Sequence, residues 1–144
     1  MTDEALSRAR VGMRWVMALF YFSAGVVHLA APDRFLPIVP DFVPMPYAVV
    51  VATGLCEIAG SVALLTRRLR RLAGVMLSIY AVCVFPANIK HAVEGIHVPP
   101  LFDSWWYHGP RLIMQPALVW WALFCAEVID WPWRKRSPRP ASLG

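Results

Sequence analysis

The sequence predicts an all-α integral membrane protein, a four-helix bundle with both termini in the cytoplasm. Three observations predict it. Of 144 residues, 58% are hydrophobic and only 16% charged, whereas ordinary soluble domains run about 45 to 50% apolar and about 25% charged. Four apolar stretches are each long enough to cross a bilayer, which takes about 20 residues of helix. Lys and Arg gather on alternate connections between those stretches. This composition excludes a disordered chain, a collagen or coiled-coil fibre, and a large separate soluble domain.

The first stretch runs from about Val11 to Ala31, and basic residues Arg8, Arg10 and Arg14 stand at its start. A secretory signal peptide is the rival reading of residues 1–31. The apolar run is long for one, and its removal would leave the two remaining basic clusters on opposite sides. The second stretch, about Tyr47 to Thr66, and the third, about Leu72 to Ala92, enclose a turn carrying Arg67, Arg68, Arg70 and Arg71. The fourth, about Leu112 to Ile129, is followed by Arg134, Lys135, Arg136 and Arg139 in a polar tail. None alternates as a strand does, and backbone polar groups in hydrocarbon are satisfied only by helices or closed barrels. Eleven of the fourteen basic residues therefore lie on one side, against Arg34, Lys90 and Arg111 on the other. The excess places the termini and the Arg-rich turn in the cytoplasm. Trp15, Trp131 and Trp133 on that side and Trp105, Trp106 and Tyr107 opposite suit interfacial anchoring. The charge of +5 is thus topological, and no basic stripe interleaved with aromatics points to nucleic acid.

Polar residues inside the spans carry the functional signal, because an ionisable group at mid-bilayer costs about 2.5 to 3.5 kcal/mol on insertion scales. Glu57 lies near the middle of the second span, with Thr53, Gly54, Gly60 and Ser61 at helical spacing from it. Such a small, polar stripe lets another helix approach closely. His28 shares a face with Ala24 and Gly25; Asn88 and His91 are one turn apart; Arg111 and Gln115 are separated by four. The reading is one outward-facing polar pocket, with His28, Glu57, Asn88 and Gln115 inward and Arg111 and His91 toward the mouth. Pro86 and Pro116 would widen the bundle beside Asn88 and Gln115. The apolar, Pro-rich connection from Pro32 to Pro46 would pack as a cap. Cys56, Cys83 and Cys125 read as buried small hydrophobes, and no Cys-x-x-Cys pair supports thiol redox chemistry.

The pattern Phe22-Ser-Ala-Gly25-Val-Val-His28, Gly54-x-x-Glu57-x-x-Gly60, Phe85-Pro86-Ala87-Asn88 followed by His91, and Arg111-Leu-Ile-Met-Gln115 resembles the DoxX family of small bacterial membrane proteins. The resemblance spans all four stretches. It implies a single DoxX-like domain over residues 1–144 in a bacterial cytoplasmic (inner) membrane, in a group some of whose members are linked to quinone-dependent oxidation or membrane redox complexes.

Each polar position also has a plain structural reading: Glu57, Asn88, Arg111 and Gln115 as an interhelical clasp, His28 as a satisfied core residue, His97 and His108 as solvated loop residues. A haem held by His28 and His91, and a metal on His91, Glu94 and His97, are weaker alternatives. Two function classes then stand. In the first, a quinone headgroup meets Gln115, Asn88 or His28 and exchanges protons through Glu57. That class needs an electron-donating partner, since the chain shows no nicotinamide, flavin or iron–sulfur fingerprint. In the second, a non-catalytic module binds a lipid or small apolar molecule or assembles another membrane protein. A transporter, completed by a homo-oligomeric partner, is the third and weakest class.

Overall fold

The computed structural model describes residues 2–98 and 104–133, and these are helical without a strand. Helix α1 spans Asp3–Ala30, a 3-10 helix Pro32–Ile38, α2 Pro46–Leu65, α3 Arg70–Val93 and α4 Trp105–Cys125. The basic tail residues Arg134, Lys135, Arg136 and Arg139 lie outside the described residues. Contacts between α1 and α2 at Gly25 and Gly54, and between α3 and α4 at Gly74 with Ala126 and at Asn88 with Arg111, make each pair antiparallel. The end where α1 starts and α4 stops is called the near end, and the opposite end the far end.

Local chemistry sets the helix limits. The Thr2 side chain accepts from the Ala5 amide at 3.3 Å, and Asp3 and Glu4 occupy the first turn, where carboxylates complement the dipole. Helix α1 consequently starts well before the apolar run that begins at Val11. Helix α2 opens on Pro46, whose missing amide is no loss in a first turn. Ser104 caps α4 by accepting from the Trp106 amide at 3.3 Å, so α4 begins seven residues before Leu112, where hydropathy alone had put its start. His108, expected in a solvated loop, is thereby inside the helix and buried.

Helix α1 packs most extensively on α2, and α3 on α4; the seams α2–α3 and α1–α4 are sparser. Glycine decides both tight pairs. A Cβ on Gly25 would stand 2.6 Å from the Gly54 carbonyl oxygen, and one on Gly74 would stand 2.2 Å from the Ala126 Cβ. Backbones meet there only because no side chain intervenes. The apolar core, including Met17, Tyr21, Leu64, Leu77, Ala122 and Cys125, fills the near half.

Also at the near end is a clasp of charge. Arg14 donates to the Cys125 carbonyl through Nε (3.1 Å) and Nη2 (2.9 Å), and to Glu127 at 3.0 Å. Arg70 reaches the same Glu127 oxygen at 3.3 Å. Arg10, only 2% exposed, donates to the Ile129 carbonyl (3.0 Å) and to Asp130 (2.6 Å) while its guanidinium lies over the Phe124 ring, 4.6 Å from the centroid. Arg10 and Arg14 are therefore more than markers of topology: they tie α1 to the end of α4.

By length and composition α1, α2 and α3 are each long and apolar enough to cross a membrane. Helix α4 is long enough, with 21 residues, but falls outside that set, which differs from the four spans read from the sequence. Its first twelve residues carry His108, Arg111 and Gln115 along with Pro110 and Pro116.

Candidate functional site

The Gly25–Gly54 approach brings α1 and α2 together one turn from His28 and Glu57. His28 Nδ1 stands 2.7 Å from Glu57 Oε2, and the Tyr80 hydroxyl of α3 donates to Glu57 Oε1 at 2.7 Å. Glu57 is 4% exposed, so both carboxylate oxygens are engaged where water is scarce. An ionised carboxylate accepts only, so against ionised Glu57 it is His28 Nδ1 that donates, and Nε2 is the ring's second polar atom. Phe35 of the 3-10 helix packs on the imidazole at 4.2 Å between centroids. Of the Pro32–Pro46 connection, the 3-10 helix packs on α1, α2 and α3 at this end, Phe42 and Met45 are exposed, and Lys90 donates to the Val39 carbonyl (3.1 Å) and Asp41 (2.6 Å).

His28 also ends a shallow apolar groove on the flank of α1, lined by Val16, Leu19, Phe20, Ser23, Val27 and Phe35. Tyr80 borders a second apolar groove between α2 and α3, with Cys56, Gly60, Met76 and Cys83. The hydrogen-bonded chain Tyr80–Glu57–His28 thus runs through the bundle between two grooves. Cys56 and Cys83 are exposed and only Cys125 is buried, which corrects the expectation of three buried thiols. Cys56 follows the mid-helix pattern of Val50, Gly54, Glu57 and Ser61 by one residue too few, and a 100° step turns it outward.

A second polar group lies nearer the far end. Arg111 donates through Nη1 to His91 Nδ1 at 2.6 Å and through Nη2 to Asn88 Oδ1. Guanidinium has no acceptor, so His91 Nδ1 must be the bare nitrogen. Tyr107 lies under the guanidinium, 5.6 Å from ring centroid to Cζ, and His108 packs on His91 at 4.7 Å. Gln115 is 8% exposed, and its Oε1 is buried with no hydrogen-bond partner.

The six candidates therefore separate. His28 and Glu57 form one group; Asn88, His91 and Arg111 form another; no hydrogen bond joins the two among the described residues, and Gln115 bonds to neither. The physical reason is axial distance. Glu57 meets α3 at Tyr80, and Asn88 is eight residues, about 12 Å, further along that helix. His28 and His91 consequently belong to different groups and do not face a common haem. Glu94 and His97 are exposed while His91 is buried, and no cluster of three metal-ligating side chains exists among the described residues. The sequence reading missed Tyr80, because an aromatic residue in an apolar run gives no signal and its contact with Glu57 is made between two helices.

Comparison with known proteins corrects the DoxX resemblance. A different family, described as a domain of unknown function (DUF8561), matches residues 17–126, and no curated protein or solved structure matches. The motifs behind the resemblance are glycines at a close helix contact and polar groups paired inside a bundle, which unrelated apolar bundles share for the same physical reasons. Since the match covers most of the chain, from the second half of α1 to the end of α4, the protein belongs to the DUF8561 family.

Proposed function

We propose that the protein is a bilayer-spanning four-helix bundle that binds the polar head of a lipid-soluble small molecule at His28, with Glu57 and Tyr80 behind it. The observation that carries this reading is the hydrogen-bonded chain Tyr80–Glu57–His28 ending at an apolar groove. Support for the bilayer comes from the outward faces. Leu19, Phe20, Leu55, Val62, Met76, Val82 and Ile113, spread over all four helices, are exposed, an amount of outward apolar area that water does not favour. Helix α4 fits the same picture, because His108 and Gln115 are buried and Arg111 is engaged on α3, so its low average hydropathy is not what its outer face presents. The excess of Arg at the near end favours a cytoplasmic near end.

A ligand entering sideways from lipid would lay its apolar body along Val16, Leu19, Phe20 and Val27 and offer a hydroxyl or carbonyl to His28. Glu57 fixes the ring orientation and holds a proton on Nδ1, as a carboxylate does for an adjacent histidine. Among such ligands a quinone would use the chain most fully, since its reduction consumes protons that His28 can pass on; the electrons would come from a partner protein.

The test is mass spectrometry and absorption spectroscopy of small molecules retained by detergent-purified protein. A stoichiometric apolar molecule lost in Glu57→Gln and His28→Leu supports the reading. An empty wild-type protein, or equal retention by folded variants, overturns it.

A further inference from the structure

Arg111 poses a separate problem. It is partly exposed, yet its two terminal nitrogens donate to neutral acceptors, His91 Nδ1 and Asn88 Oδ1. No Asp or Glu among the described residues pairs with it, whereas Arg10, Arg14, Arg70 and Lys90 each meet a carboxylate. Neutral acceptors orient a guanidinium without cancelling its charge, so the charge is left for an anion beside it. Its Nε and the second hydrogen of each terminal nitrogen remain as donors in a planar fork suited to an oxyanion.

Gln115 is the independent sign of a ligand. It follows Arg111 by one turn on the same face of α4, and its Oε1 is buried without a donor. Buried polar atoms in native proteins are almost always paired, so a missing donor marks a place for one.

We propose that Arg111 and Gln115 bind a phosphate group at the far end of the bundle. Arg111 takes the phosphate oxygens, held in place by Asn88 and His91, and Gln115 Oε1 accepts from a hydroxyl of the phosphate or of a glycerol head next to it. The phosphate can belong to a phospholipid headgroup or be free in solution. The lipid source rests on the bilayer reading above; the phosphate site itself does not.

The experiment uses the full chain in detergent. Resistance to carbonate extraction from membranes is scored first, and failure there removes the bilayer reading and the lipid source while leaving the site to be decided with inorganic phosphate. Native mass spectrometry then compares retention of phosphatidylglycerol with that of diacylglycerol of the same chains, and calorimetry measures inorganic phosphate. Retention of phosphatidylglycerol alone assigns the lipid source, and binding of inorganic phosphate assigns the free source; either supports the site. Arg111→Gln should weaken binding about tenfold, Gln115→Leu should weaken it less, and Arg34→Gln should leave it unchanged. If Arg111→Gln does not fold, the wild-type comparison and Gln115→Leu decide. Absence of binding to either phosphate source, or folded Arg111→Gln and Gln115→Leu proteins that bind as the wild type does, would overturn the proposal.

Discussion

The two ends of the bundle handle arginine in opposite ways. At the near end Arg10, Arg14 and Arg70 meet Asp130, Glu127 and the carbonyls of residues 125 and 129, so cation, carboxylate and C-terminal carbonyls close on one another. Toward the far end Arg111 sits on an amide and an imidazole, and Glu57, the one buried carboxylate among the described residues, is committed to His28 and Tyr80. The first arrangement is complete within the chain and reads as structure. The second leaves charge and hydrogen-bonding capacity over, and capacity left over in an apolar setting is what a ligand uses.

Changes at the near end should cost the most stability. Gly74→Val drives a side chain into Ala126 and the Ala122 carbonyl, and overpacking of this kind costs about 3 kcal/mol; detergent-solubilised protein should lose its compact peak in size-exclusion chromatography. Arg14→Met comes next. It strips two hydrogen bonds from the Cys125 carbonyl and one from Glu127, which keeps Arg70, and a loss of about 2 kcal/mol is expected, read as a lowered midpoint of chemical unfolding. Were Arg14→Met as stable as the wild type, the near end would not be a clasp.

Between the ends, Glu57→Gln retains the shape and one acceptor oxygen, so unfolding should shift by only about 1 kcal/mol while ligand retention falls. A larger loss of stability than Arg14→Met would turn the comparison around and make Glu57 the clasp. The smallest effect belongs to Lys90→Met. Asp41 is exposed, with 94% of its side chain accessible, so global stability should not move, but the connection that carries Phe35 loses its tether. Faster chymotryptic cleavage at exposed Phe42 in an otherwise folded protein is the expected result.

Much of the fold was legible because hydropathy and helix caps are local. The apolar runs located α2 and α3 to within a few residues, and the buried face of Glu57, Gly54 and Ser61 followed from helical spacing. Helix α4 was misjudged at its start because Trp, Tyr and His lower hydropathy without stopping a helix, and Ser104 supplies the cap. The site was half legible. The cost of charge in an apolar run singled out His28, Glu57 and Arg111, but which of them meet depends on where helices cross, and spacing along one helix is silent on that.

By itself, then, the sequence determined an all-helical chain with an apolar exterior and a short set of polar groups that must find partners, because each of those facts follows from side-chain chemistry and the 3.6-residue period. The pairing was decided only by tertiary structure. Close contact at Gly25–Gly54 set Glu57 against His28, the meeting of α2 with α3 supplied Tyr80, and the meeting of α3 with α4 gave Arg111 to Asn88 and His91. Relative axial placement of helices is fixed by side-chain fit summed over the whole interface, so a single expected pocket became two groups about two turns apart.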